Sequence, residues 1–292
     1  MKSSTDLRVN LLLALACVLA VPAVFAAEES DAARDEYDRK VDELAWIKGP
    51  TSVPVGTNAK LAVPEGYVFL DAANTARFDE LNENFSNGKE VMIGPADHAW
   101  AAYLEFDDGG YVKDNEKIDA DELLKTLQEN TEASNEERQK RGWTPLHIKG
   151  WAVPPAYNQA TKRLEWATTL QSSAGTGVNF FTKVLGRRGH TSVVMATAPS
   201  RLGEAESALN TVLDGYTFNA GESYAEWKPG DKVAEYGLAA LVLGGAAAIA
   251  TKKGLWAVIV GFLVKGWKLV AIAVAGVGAG LRKVLGRKKS DA

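Results

Sequence analysis

The longest apolar stretches of this chain lie at its two ends, and they restrict what it can become more than any other feature. Residues 254–281 are interrupted only by Lys265 and Lys268, and a basic tail of Arg282, Lys283, Arg287, Lys288 and Lys289 follows. As a helix this run reaches ~42 Å, enough to cross a ~30 Å hydrocarbon core with tilt. An earlier run, 238–251, is rich in Ala, Gly and Leu but rises only ~21 Å as a helix, too little to span. At the other end, residues 11–21 are unbroken apolar sequence behind Lys2 and Arg8, followed by Pro22 and then Val24-Phe25-Ala26. That is the pattern of a signal peptide cleaved after Ala26. The only cysteine, Cys17, lies inside it, so the mature chain is expected to lack thiols and disulfides.

A cleaved leader leaves the body outside the cytoplasm. One span then places the basic tail inside and two would place it outside, so the positive-inside rule favours one. This divides the chain into a signal peptide (1–26), a periplasmic domain (27–232), an apolar membrane region (233–281) with its span within 254–281, and a cytoplasmic tail (282–292). Lys265 and Lys268 sit near the middle of that span, at a cost of ~2.5–3.5 kcal/mol each. They snorkel to the interface, or they mark a self-associating face at which Gly261, Gly266 and Ala273 permit close packing.

The net charge of −4 conceals a strongly acidic body, with 22 basic and 34 acidic side chains in residues 27–232. Nucleic acid is a poor partner for such a surface, which lacks the clustered cations that displace phosphate counterions. The partners expected are the lipid bilayer, a second copy of the chain and other envelope proteins.

Within the body, one helix is expected over 30–46, from the face Ala33, Tyr37, Val41 and Leu44. Residues 51–63 alternate around Gly56 as a hairpin, and 67–70 form the next strand. A helix over 71–85 carries Phe78, Leu81 and Phe85 at helical spacing, and strands follow at 90–93 and 100–106. Asp107-Asp108-Gly109-Gly110 reads as a hairpin turn into Tyr111-Val112-Lys113. Asp119 and Glu122 pair as a capping box for a helix that ends at Gly142. Strands at 146–153, 164–171, 178–185 and 191–198 then precede a helix over 199–213 capped by Gly215. Neighbouring strands without helical crossovers imply an α+β fold, an antiparallel sheet with packed helices.

Chemical motifs are sparse. His98, His147 and His190 stand apart, without metal-ligand spacing, so neither a metal site nor a cofactor is expected. The stretch 172–177 is rich in Gly and Ser but lacks the Lys of a phosphate loop and reads as a turn. The one dense acidic group is Asp107, Asp108, Asp114, Glu116, Asp119 and Asp121, whose spacing misses the pattern of a calcium loop. It is either a solvated turn leading into a capped helix or a carboxylate set for hydrolysis. Arg187 and Arg188 form a basic turn that could grip an anion. Trp143, Trp151, Tyr157 and Trp166, with Phe180 and Phe181, fit alternating core positions or a ligand groove.

Several short pieces occur together in a characteristic order: Gly109-Gly110-Tyr111-Val112, Asn135-Glu136-Glu137-Arg138, Gly150-Trp151, Leu185-Gly186-Arg187 and Val233-Ala234-Glu235-Tyr236-Gly237-Leu238. Over residues 49–289 the chain resembles the bacterial family of membrane-anchored proteins that share domain of unknown function 2167. The resemblance implies a signal-bearing protein of the inner membrane, and it assigns no catalytic or binding residue. Where the family carries a denser Asp run after Gly-Tyr-Val, this chain has Lys113-Asp114-Asn115-Glu116, which weakens any shared metal role. The expectation is a binding or envelope-structural module rather than an enzyme. The alternatives are a hydrolase using the 107–121 carboxylates and a small self-associating channel.

Overall fold

In the computed structural model the sheet is built from strands whose residues alternate between two buried faces. The structure describes residues 31–173 and 175–244. The expected signal peptide, the expected span within 254–281 with Lys265 and Lys268, and the basic tail lie outside the described residues. Among those described, no helix is long and apolar enough to cross a membrane.

The strands are β1 (Ile47–Lys48), β2 (Thr51–Val55), β3 (Ala59–Val63), β4 (Tyr67–Leu70), β5 (Val91–Pro95), β6 (Ala101–Asp107), β7 (His147–Asn158), β8 (Arg163–Ser172), β9 (Gly175–Leu185), β10 (His190–Thr197) and β11 (Tyr216–Phe218). Eight of them form one antiparallel sheet in the order β1-β4-β5-β6-β10-β9-β8-β7, and β11-β3-β2 form a small second sheet. The helices are α1 (Asp31–Asp42), α2 (Ala72–Leu81), α3 (Ala120–Lys140), α4 (Leu202–Asp214) and α5 (Leu238–Val242). The fold is therefore α+β, as the runs of adjacent strands imply.

Each face of the large sheet has its own core. On one, Ile93, Ala102, Leu104, Phe180, Val193 and Met195 pack with Val55 and Leu61 of the small sheet and with Ala205, Leu209 and Val212 of α4. On the other, Met92, Tyr103, Trp166, Phe181 and Val194 meet Val41, Phe78, Leu123, Tyr224 and the α5 residues Leu238, Leu241 and Val242. Trp166 and Phe181 stack there with centroids 5.0 Å apart. Residues 233–244, which composition groups with the apolar membrane region, thus include side chains of the body's own core.

Helix ends follow local chemistry. Asp71 and Asp119 cap α2 and α3 by accepting from the N–H groups of Asn74 and Glu122, and Gly142 lies just past α3 with φ +74°. Three expectations need correction. The helix over 71–85 stops at Leu81, because the Asn82 side chain donates to the Phe78 carbonyl and closes the last turn (2.8 Å). Phe85 instead packs on Trp143, 4.9 Å between centroids. The 107–113 hairpin does not form, since Tyr111 pairs in parallel with Val233. Within 172–177, finally, Ser172 still belongs to β8, and Gly175, Thr176 and Gly177 already belong to β9.

Candidate functional site

Strand register places several polar side chains in one row on the α1–α3 side of the large sheet. Ser192 lies opposite Glu105 on one neighbour and Lys183 on the other, and His190 lies opposite Asp107. Because side chains alternate along a strand, Tyr103, Glu105 and Asp107 share this face with His190, Ser192 and Lys183. Lys183 is buried, and its Nζ donates to Ser192 Oγ at 2.6 Å. Glu90, just before β5, enters the row at its Glu105 end, and α2 contributes Asp79 from above.

Asp79 is the most anomalous group of the row. It is fully buried, and neither carboxylate oxygen has a hydrogen-bond partner. Burial pushes its pKa up to about 7, with the nearby hydroxyls of Ser86 and Tyr103 only partly opposing the shift. Glu90 is pushed up to about 8 by burial and by the charges of Asp79 and Glu105, against the pull of Lys183. His190 is buried too. Desolvation and the charge of Lys183 hold its pKa well below the ordinary value, and its Nδ1 has no partner. The row therefore holds acidic protons that ordinary surface carboxyls would have lost at neutral pH. The Lys183–Ser192 pair has the spacing of a nucleophile and its base. Lys183 Nζ also lies 6.0 Å from the centroid of the Trp166 ring.

The residues singled out from sequence have other partners. Asp107 accepts from the Gly109 N–H at 2.7 Å. Asp114 accepts from Tyr157 Oη (2.8 Å) and Lys162 Nζ (2.9 Å). Burial raises its pKa, but Lys162 and Tyr157 outweigh that effect and hold the carboxyl below the usual range. Glu116 accepts from the Ala239 N–H at 3.0 Å, and Asp119 caps α3. Asp108 and Asp121 are exposed. Among the described residues no group of three His, Cys, Asp or Glu is placed to hold a metal ion. The basic turn supplies its own anions. Arg187 grips Asp231 with two 2.7 Å bonds, and Arg188 pairs with Glu222. The paired Arg187 holds the Asp231 carboxyl down at about 2. The aromatics divide likewise, with Trp166 in the core, Trp151 Nε1 donating to the Ala120 carbonyl, and Arg138 and Arg141 against the Trp143 ring.

What the structure does bring together is the set of sequence pieces 109–112, 185–189 and 231–239. Gly110 N–H donates to the Arg188 carbonyl, Tyr111 N–H to Lys232, and Ala234 N–H back to Tyr111. A Cβ at Gly189 would overlap the Asp107 carbonyl, so only glycine permits this crossing. Tyr236 Oη is buried against Gly109. The last described segment is thus laced to the end of β6, beside the polar row.

The model of the family described as "Protein of unknown function (DUF2167)" matches residues 47–277, in agreement with the resemblance read from the short motifs. No curated protein matches the sequence. The solution structure of cyanobacterial PsbP (CyanoP) from Synechocystis sp. PCC 6803 is similar over 59% of this chain and 95% of that one, at 7% identity and a TM-score of 0.34. That likeness is too slight to bear on fold or function.

Proposed function

The chain belongs to the DUF2167 family of proteins of unknown function, and we propose that it is a membrane-anchored module of the bacterial envelope that binds or braces another component rather than transforming a substrate. In this reading the leader is removed after Ala26, the body lies in the periplasm, one span within 254–281 crosses the inner membrane, and the basic tail is cytoplasmic. The observation that carries it is the junction of 109–112, 185–189 and 231–239. It holds the chain to the body up to α5, and the apolar run 254–281 begins ten residues after Gly244. The family match supports the same view, because it continues to residue 277, through most of that run. A phosphatase or fluorescent reporter fused after Ala292 tests the topology. Cytoplasmic signal is expected, and a reporter active only in the periplasm would overturn it.

A second reading has one observation in its favour. Glu90, held up to about 8 beside Glu105, is protonated at neutral pH as a general acid must be. A hydrolase would then use Glu90 and Glu105 rather than the 107–121 carboxylates. Turnover of envelope glycans or model esters that disappears in Glu90→Gln would favour it over the binding module.

A further inference from the structure

Trp227 and Val233 are two of the exposed large apolar side chains in the body, each 37% accessible. They adjoin one another through Tyr111. The Trp227 ring lies 5.3 Å from the Tyr111 ring, and Val233 is the residue that pairs with Tyr111 along the backbone. Paired strand residues project to the same side, so the three side chains form one patch. Its presentation is fixed from below. Tyr111 stacks on buried Tyr224 at 4.4 Å, and Tyr224 Oη donates to the Val112 carbonyl. Trp227 follows a single 3-10 turn, Tyr224–Glu226, closed by the reciprocal Ser223–Glu226 capping box. Exposed Lys113, Lys228 and Lys232 flank these residues in the sequence, and Lys232 Nζ donates to the Asp108 carbonyl at 3.3 Å.

We infer that this patch rests on the lipid surface into which the C-terminal segment inserts, an inference that depends on the anchored reading above. Trp and Tyr rings flanked by lysines are the side chains that favour the boundary between headgroups and acyl chains. The length of chain beyond Gly244 supplies the second argument. Nine residues separate it from Gly254, a reach of roughly 30 Å even fully extended. A domain of this size is about 40 Å across, so the tether is shorter than the body it holds. At such a separation the lipid surface is present at an effective concentration near millimolar, and a small aromatic contact suffices to dock. Headgroup phosphates are the counter-charges for these lysines, and Asp231 competes for Lys228.

The test uses the full chain with Cys17→Ala, reconstituted in vesicles of phosphatidylethanolamine and phosphatidylglycerol. An environment-sensitive fluorophore is attached at Lys228→Cys, at Lys60→Cys on β3, or at Ala273→Cys in the apolar run. Quenching by nitroxide-bearing lipids is then read at each position. Quenching at 228 about threefold or more above that at 60, abolished when Trp227→Ala is added, is expected for a group lying in the interface. Equal quenching at 228 and 60, with strong quenching at 273, would overturn the inference while leaving the anchor intact. No quenching at 273 would remove the anchor, and the docking with it. A blue-shifted fluorophore at 228 that lipid nitroxides do not quench would mean a protein covers the patch, and would also refute lipid docking.

Discussion

Asp79→Asn replaces the fully buried, unpartnered carboxylate of α2 by an uncharged group of the same shape. The folded-state pKa of about 7 stands above the ordinary 3.8 because burial penalises the anion. For an acid shifted upward, the native state keeps its proton after the unfolded chain has lost it. Stability associated with that proton is complete below about pH 4, declines as pH rises, and is gone above about pH 7. The shift corresponds to about 4 kcal/mol of linkage, since one pKa unit is worth about 1.4 kcal/mol. An amide never ionises, so the variant escapes this loss. Its NH₂ still needs acceptors, for which the hydroxyls of Ser86 and Tyr103 are nearest. The net expectation is a gain of about 1–3 kcal/mol at pH 8 and near equality at pH 4. Urea unfolding followed by tryptophan fluorescence at the two pH values measures both. The wild type should lose more stability over this interval than the variant, which keeps the contributions of Glu90 and Glu165, whose raised pKa values act in the same direction, and of His190, whose depressed pKa opposes them. A wild-type midpoint that is flat or rising from pH 4 to 8, with the variant less stable throughout, would refute the assignment of Asp79 as a destabilising buried acid.

Other consequences are equally direct. Gly189→Ala forces a methyl group into the Asp107 carbonyl, and a loss above about 3 kcal/mol is expected for such backbone overlap; an unchanged melting temperature would contradict the crossing. Asp114→Ala strands Lys162 Nζ and Tyr157 Oη, costing about 1–3 kcal/mol in the same unfolding assay at pH 7. That difference should shrink as the pH falls through the depressed Asp114 pKa, because protonation removes the acceptor from the wild type as well. Glu116→Ala deletes the acceptor of the Ala239 N–H. Amide exchange at Ala239 should accelerate by roughly tenfold, an effect of about 1.4 kcal/mol, whereas Glu116→Gln keeps an acceptor and should exchange like the wild type.

Local chemistry was legible in the sequence and distant pairing was not. Asp119 and Gly142 announce helix ends because a cap depends on the next three or four residues alone. The hairpin 51–63 is legible for the same reason, its two strands being joined by the turn around Gly56. Asp107-Asp108-Gly109-Gly110 carries as strong a turn signal, yet the chain after it takes its partner from Val233, far along the sequence. Nothing in the turn itself distinguishes the two outcomes. Composition misleads in a related way at 238–242, where Leu, Ala and Val suit a membrane and a protein core equally well. The polar row was hidden by periodicity. Glu105, Lys183 and Ser192 occupy alternate positions that in an isolated strand would point to solvent, and only the register across β6, β10 and β9 shows that they meet one another. Asp79 gave a faint signal, since it follows Phe78 on a helix whose opposite side carries Arg77 and Glu80. A helical face wide enough to bury Thr75 and Phe78 also includes Asp79. The carboxyl therefore enters the core by geometry, and burial, rather than any charged neighbour, is what raises its pKa.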